Sequence, residues 1–551
     1  MSALLFLLRN LNHLKARFYL LIVFGILDGA ILFSVPLLIS VFLRSDLDLE
    51  RAQTLLIYVT IAITISINFQ YWIRKKGESL APELANHLRR KIILRLESLP
   101  VEWISENHSG RILSLSNQLS DGIGSLASET IWIVGHAWIT LILFFFMTAR
   151  ESFAVAITNG LLLTLFMLVS VCLALKISKL SAIEGQTRAA LSERFADCIA
   201  NLRTIKMLSL QSFIHKIMDD AIHNHNTAVG KLQSFHARRW SILHSLFYLS
   251  FIITLFCLLS GIAGGLIASS MMVIFISAFT SVRGYIERLS ELVKHLMELR
   301  AFLDNAADFL PESSKIIELS GELADWNIIQ VKDLYFSYSE DNPGFSIPSF
   351  SFKKGDIISI RGESGQGKTT FLMLLAGLLK PIRGTIAIDG RAYTELPKGY
   401  PTSIMTCISQ ATELFNLSIR ENLTLNTEVS DDKIFSLLTE LGLGDWITSL
   451  PLGIQTLVGE KGLQISSGQK QRLCIARAIL QEREIMLLDE PSSNLDLESE
   501  RLVVSCLAKH LKNRSAIIVS HRDVFRSITK FELSFAGGRL DVEGENIIGK
   551  S

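Results

Sequence analysis

Apolar positions form long unbroken runs in the first half of the chain and short periodic ones in the second. Six runs, residues 17–43, 53–73, 129–148, 153–176, 241–260 and 266–284, each approach or exceed the ~20 residues a helix needs to cross roughly 30 Å of hydrocarbon. They predict six membrane-spanning helices. The third and fourth runs are separated only by Ala149-Arg-Glu-Ser152, and the fifth and sixth only by Gly261-Ile-Ala-Gly-Gly265, so each pair predicts a tight hairpin. The connections from the second run to the third and from the fourth to the fifth each exceed 50 residues. They are charged and helical in pattern, and predict extensions of the spans into the cytosol that turn around near Ser116–Ile123 and Ile205–Ile217.

Charge orients these spans. Residues 74–128 carry Arg74, Lys75, Lys76, Arg89, Arg90, Lys91, Arg95 and Arg111, whereas the loops of the opposite side carry only Arg44, Arg51 and Arg150. Basic residues concentrate on the cytoplasmic side, which predicts both termini in the cytosol. Met1 to Asn10 is apolar but is followed by no small-residue cleavage site. Leu4 to Leu14 reads as an amphipathic helix along the inner interface, with an ordinary helix start as the alternative. The helical pattern continues through Arg283 to Asn305, Pro311-Glu-Ser-Ser314 interrupts it, and a β-rich pattern begins at Trp326. The expected organisation is an α-helical transmembrane domain over residues 1–305, a linker over 306–325 and an α/β domain over 326–551.

Composition agrees with a membrane protein: 49% of the 551 residues are hydrophobic and 19% charged, with a mean hydropathy of +0.36. A net charge of +1 argues against a nucleic-acid partner, which requires a basic surface. The six cysteines, Cys172, Cys198, Cys257, Cys407, Cys474 and Cys506, have neither metal-ligand spacing nor a disulfide pattern, and read as small buried residues.

Chemistry concentrates in the second half. Gly362, Glu363, Ser364, Gly365, Gln366, Gly367, Lys368 and Thr369 fit G-x-x-x-x-G-K-[ST], with the strand-like Ile357-Ile-Ser-Ile360 before them and a helical run from Thr370 after. Glycines there let successive backbone N–H groups turn onto phosphate oxygens. Lys368 reaches the β and γ phosphates, Thr369 offers a hydroxyl to Mg²⁺, and the helix N-terminus faces the anion. A second element, Ile485-Met-Leu-Leu-Asp489-Glu490-Pro491, is an apolar strand ending in two carboxylates. Neighbours on a strand point to opposite sides, so Asp489 suits the Mg²⁺ water shell and Glu490 the attacking water.

With these motifs in place the chain resembles a half-size ATP-binding-cassette (ABC) transporter of the exporter type over nearly its whole length. The resemblance implies a P-loop NTPase cassette and assigns Tyr338 to adenine stacking, Gln410 to sensing Mg²⁺ and the γ phosphate, and His521 to the γ phosphate. Ile465, Ser466, Ser467, Gly468 and Gln469 correspond to the family signature Leu-Ser-Gly-Gly-Gln, departing from it at Ile465 and Ser467. If that second position needs φ > 0, the serine strains it by about 1–3 kcal/mol. Asp496 matches the loop that communicates across the dimer, and Gly459-Glu460 a loop that touches the membrane domain. The family completes each ATP site with a second cassette, so a dimer is implied. Glu490 and His521 are both present, which favours a homodimer over a heterodimer. The helical turn-around points are expected to dock on the cassette. ATP and Mg²⁺ are the implied ligands, and membrane lipid the surroundings.

Within the spans Asp28, His136 and Asn159 are candidates for the substrate path, with hydrogen bonding between helices as the alternative. The expected activity is ATP-driven export or flipping of an amphipathic or hydrophobic peptide, lipopeptide, lipid or drug. An ATP-gated membrane regulator or channel is the alternative. The compact size and short outer loops suggest a bacterial inner membrane.

Overall fold

The computed structural model describes residues 3–11, 14–43, 49–151, 153–264, 271–307, 326–338, 344–397, 399–410, 413–425, 427–459, 465–536 and 539–543. Two compact units divide the chain, Met1–Leu99 with Trp103–Ser314, and Pro100–Glu102 with Lys315–Ser551.

The first unit is helical. Its elements are α1 (Ala3–Leu11), α2 (Lys15–Leu43), α3 (Leu49–Glu97), α4 (Val101–Glu106, of which the first two residues fall in the second unit), α5 (Ser109–Glu151), α6 (Phe153–Ala200), α7 (Leu202–Met207), α8 (Gln211–Ala263) and α9 (Met271–Asn305). Among the described residues α2, α3, α5, α6 and α8 are long and apolar enough to span a membrane. The sixth apolar run begins at 266–270, outside the described residues, and its remainder lies in α9. Helices α3, α6 and α8 hold 49, 48 and 53 residues. At 1.5 Å per residue each exceeds ~70 Å, more than twice the hydrocarbon thickness, so each continues well beyond its apolar stretch.

The two ends of these helices pack differently. In the apolar stretches, side chains such as Leu161, Leu165 and Leu168 of α6 face outward, as a hydrocarbon solvent permits. In the extension of α3, Leu80, Leu84, Leu88 and Ile92 repeat at helical spacing and are buried with Leu119, Ile123 and Leu126 of α5. This is packing of the water-soluble kind, and it corrects one expectation. Ser116–Ile123 is no turn but lies inside α5; the chain reverses between the end of α3 and Ser109. Leu99-Pro100 marks that break, because proline disfavours helix in the residue before it. The second reversal, at α7, falls at the expected place. Helix α1 buries Phe6, Leu7 and Leu11 in the same core, with Asn10 receiving a hydrogen bond from Lys91 Nζ at 3.0 Å. Its apolar face is thus covered by protein, while Leu4 and Leu5 on the other face are exposed.

The second unit is α/β. Its strands are β1 (Ile328–Phe336), β2 (Phe345–Ile347), β3 (Phe350–Lys353), β4 (Ile357–Gly362), β5 (Arg383–Ile388), β6 (Arg391–Ala392), β7 (Met405–Ile408), β8 (Ile485–Asp489), β9 (Ser515–Val519), β10 (Phe531–Ala536) and β11 (Arg539–Glu543). Between them lie α10 (Lys368–Leu375), α11 (Tyr400–Ile404), α12 (Ile419–Thr424), α13 (Asp431–Glu440), α14 (Gly444–Ser449), α15 (Ser467–Leu480) and α16 (Leu497–His510). The sheet runs β6-β5-β1-β2-β11-β10-β4-β9-β8-β7, with β3 paired to β1. Pairing is parallel across β10, β4, β9, β8 and β7 and antiparallel across β1, β2, β3 and β5. Every residue of β8 and β9 is buried, as expected of parallel strands covered on both faces.

Candidate functional site

Because β4, β9, β8 and β7 are adjacent and parallel, their carboxyl ends lie side by side at about 4.8 Å per strand. Residues far apart in sequence meet there: the Gly362–Thr369 loop after β4, His521 after β9, Asp489 and Glu490 at the end of β8, and Gln410 after β7. Ligands of open α/β sheets bind outside such carboxyl ends.

The loop is shaped by two glycines. Gly362 has φ +150°, and a Cβ there would lie 2.3 Å from the Phe535 carbonyl oxygen. Gly367 has φ +103°, and its Cβ would enter the Phe345 ring at 2.6 Å. Any side chain would therefore strain the backbone and displace the Phe535 backbone at one position or the Phe345 ring at the other. Helix α10 starts directly after Gly367 and aims its first N–H groups into the turn. Lys368 Nζ donates to the carbonyls of Gly362 at 2.6 Å and Glu363 at 2.7 Å, and lies 3.3 Å from His521 Nε2. Burial lowers the Lys368 pKa, against the opposing pull of Glu490 and Asp489. An arriving phosphate would favour the charged ammonium.

Thr369 Oγ1 donates to Asp489 Oδ2 at 2.5 Å. Burial raises the Asp489 pKa, and the Thr369 hydrogen bond counters it. A hydroxyl and a carboxylate in contact are the hard oxygen donors that Mg²⁺ takes, so these residues fit the ion. Glu490 is held differently. Its backbone is left-handed, φ +48°, its N–H donates to Val519 O at 2.9 Å, and its carboxylate accepts from Gln410 Nε2 at 3.1 Å and lies 3.3 Å from His521 Nε2. The strand's alternation thus ends in a twist that sends the two acids to separate partners.

Gln471, two residues after the signature, belongs to no motif in the sequence. It is 1% exposed; its Nε2 donates to Glu490 O at 2.8 Å and its Oε1 accepts from Asn494 N at 3.1 Å. It pins the backbone of Glu490 to the following loop. The available signal was an amide at a core-facing position of α15, between Ser467 and the apolar Leu473-Cys474-Ile475.

Tyr338 is exposed, with its ring edge-on to Phe336 at 5.0 Å and its hydroxyl 3.3 Å from Thr370 Oγ1, beside the phosphate loop. The signature residues lie at the start of α15. Ser466 caps it, accepting from Gln469 N at 3.1 Å, and Gln469 Oε1 accepts from Ser466 N at 2.9 Å. Ser467 is the first helical residue and is absent from the left-handed positions among the described residues, so the strain anticipated there does not arise. Gly468 approaches Asn494, where a Cβ would lie 3.1 Å from the carbonyl oxygen. Asp496 caps α16, accepting from Ser499 N at 2.9 Å. Of the pair Gly459-Glu460, Gly459 is left-handed at φ +111° and Glu460 lies outside the described residues.

In the helical unit the three substrate-path candidates are engaged between helices. Asp28 of α2 is fully buried and its Oδ2 lies 2.6 Å from His136 Nε2 of α5. Gly29 permits that approach, since a Cβ there would lie 3.2 Å from the His136 backbone. Asn159 of α6 accepts from Thr254 Oγ1 of α8 at 2.8 Å.

Comparison with known proteins identifies the family. The ABC transporter transmembrane region family matches residues 18–286 and the ABC transporter family residues 345–493. Carrying both in one chain, this protein belongs to the ABC transporters, as a half-transporter of the exporter type. It is 27% identical over 467 residues to an ATP-dependent lipid A-core flippase of Chromobacterium violaceum, covering 80% of this chain and 76% of that one. It is 25% identical over 530 residues to a beta-(1→2)glucan export ATP-binding/permease protein of Bartonella bacilliformis, covering 94% and 87%. A solved bacterial Atm1-family ABC exporter with ATP bound shares the fold at a TM-score of 0.85 and 19% identity, covering 96% and 94%. The chain is thus an integral membrane protein that binds and hydrolyses ATP to drive export.

Proposed function

We propose that two copies of this chain form a homodimeric exporter in a bacterial inner membrane, with cassettes and termini in the cytosol, that moves an amphipathic or hydrophobic substrate. The Gly362–Thr369 loop and Lys368 hold the ATP phosphates, with Thr370 beside them. Tyr338 stacks on adenine. Thr369, Asp489 and Gln410 hold Mg²⁺, which when bound neutralises phosphate charge. Glu490 takes the proton of the attacking water, His521 contacts the γ phosphate, and Gln410 orients the carboxylate. Ser466, Ser467, Gly468 and Gln469, with Asp496, complete the ATP site of the partner cassette; in the single chain Ser466, Gln469 and Asp496 cap their own helices, and the N-terminus of α15 favours an anion.

The observation that carries this reading is the fixation of Glu490. Its backbone is anchored by Val519 and Gln471, and its carboxylate lies between Gln410 and His521. A general base needs such positioning before it needs a tuned pKa. The test is Mg²⁺-dependent ATPase activity of the purified chain alone in lipid nanodiscs, beside Glu490→Gln. Turnover in the intact chain and a loss of about a hundredfold or more in the variant, with nucleotide binding retained, is expected. Absence of turnover in the intact chain would overturn the self-sufficient homodimer.

A further inference from the structure

The helical unit holds a cavity of about 690 Å³ walled by α6, α8 and α9, within the range of small-molecule sites. None of Asp28, His136 or Asn159 lines it. Its two ends differ in chemistry because all three helices pass there from apolar to charged sequence; on α8 the change falls at Arg239-Trp240. One end is apolar, with Phe166, Leu243 and Phe247. The other presents Ser181 of α6, Arg239 of α8, and Glu291 and Lys294 of α9.

The polar end has unspent hydrogen-bonding capacity. Arg239 is 4% and Ser181 1% exposed, yet Arg239 Nε and Ser181 Oγ have no partner. The rest of the guanidinium is fixed: Nη2 donates to Ser290 O at 2.5 Å and Nη1 to Glu291 at 3.3 Å. Lys294 pairs with the same Glu291 carboxylate; Arg188, Arg239 and Lys294 stand in the cavity wall against the carboxylates Glu184, Glu291 and Glu298, so what is unmet there is donor capacity rather than charge. Arg188 is matched by Glu184 at 2.6 Å, and Glu298 is engaged by His236 at 3.7 Å and His295 at 3.2 Å. A guanidinium N–H can only donate, and leaving a buried donor unmet is costly. Water alone suits the polar end but not an apolar wall.

We propose that this cavity binds an amphiphile with one anionic acceptor head, a phosphate or a carboxylate, held by Arg239, Ser181 and Lys294, with its alkyl or acyl body along Phe166, Leu243 and Phe247. Calling this ligand the substrate rests on the export reading; its binding does not.

Trp240 stands in the cavity wall and reports occupancy directly. The test uses the full chain in phosphatidylcholine nanodiscs without nucleotide, and reads the quenching that disappears in Trp240→Phe. The probes are dibromo-octyl phosphate in water, brominated phosphatidic acid in the bilayer, and dibromo-octyl trimethylammonium as the matched cation. Saturable quenching by an anionic probe and none by the cation is expected. Arg239→Gln raises the half-saturating concentration about tenfold or more, and Ser181→Ala a few-fold. Saturation by the phosphate added in water alone identifies a free amphiphile, and by phosphatidic acid alone a lipid; either supports the site. Equal quenching by anion and cation, or indifference to both substitutions, overturns it. Should Arg239→Gln fail to fold, Ser181→Ala and the charge comparison still decide. Charge-selective quenching without ATPase would sink the export reading and keep the site, whereas turnover without such quenching would do the reverse.

Discussion

The nucleotide site and the helical unit solve the same problem, holding charge inside protein, in opposite ways. In the cassette, charged groups gather in short contiguous motifs at the ends of four adjacent parallel strands, where backbone N–H groups and a helix N-terminus assist them. In the helical unit, polar groups are scattered along long helices, and several buried ones find a partner on another helix: Asp28 with His136, Asn159 with Thr254, Arg239 with Ser290. The difference teaches that a strand end concentrates chemistry through local geometry, whereas a helix bundle concentrates it only through packing. Motifs are therefore readable in one region and not in the other.

This contrast can be broken at several points. The largest effect is expected at Glu490→Gln, which removes the base itself. Next comes Gln471→Ala, which frees the Glu490 carbonyl and the Asn494 N–H. Turnover should fall roughly tenfold, as the loss of about 1.4 kcal/mol of positioning implies, with the KM for ATP unchanged. An equal rise in KM would place Gln471 in nucleotide binding instead.

In the helical unit, a double-mutant cycle of Asp28→Asn and His136→Gln, read by unfolding in bicelles, should give a coupling near the ~1.7 kcal/mol upper end seen for bonds between membrane helices. The cycle of Asn159→Leu and Thr254→Val should lie near the ~0.6 kcal/mol mean, because neither partner is ionisable. Couplings of zero would show that these contacts are incidental to packing. Unchanged substrate-stimulated ATPase in Asp28→Asn would assign Asp28 to helix pairing alone.

The smallest effect is expected at Ser467→Gly. Since Ser467 is helical, restoring the family glycine relieves no backbone strain, and ATPase should change by less than about twofold, with stability lower by ~0.5–1 kcal/mol at most. A tenfold gain would mean that the serine side chain itself obstructs closure of the dimer.

The periodicity and motifs of the sequence determined a great deal. Apolar run lengths announced the spans, because hydrocarbon thickness sets the length of a helix. The spacing from Gly362 to Thr369 announced the phosphate loop, because only glycine tolerates its turns. The adjacency of Asp489 and Glu490 after an apolar strand announced two acids with separate roles. What only the tertiary structure decided depends on which strands and helices become neighbours. The order β4-β9-β8-β7 brings Lys368, His521, Glu490 and Gln410 together across more than 150 residues of sequence. Core-facing Gln471 becomes an anchor for Glu490 only once α15 packs on the sheet beside β7. Ser467 proved helical, Ser116–Ile123 proved to be mid-helix, and the cavity at Arg239 exists only where α6, α8 and α9 pack. Local patterns report the solvent each residue prefers, whereas a site requires distances between elements, and those are settled by packing.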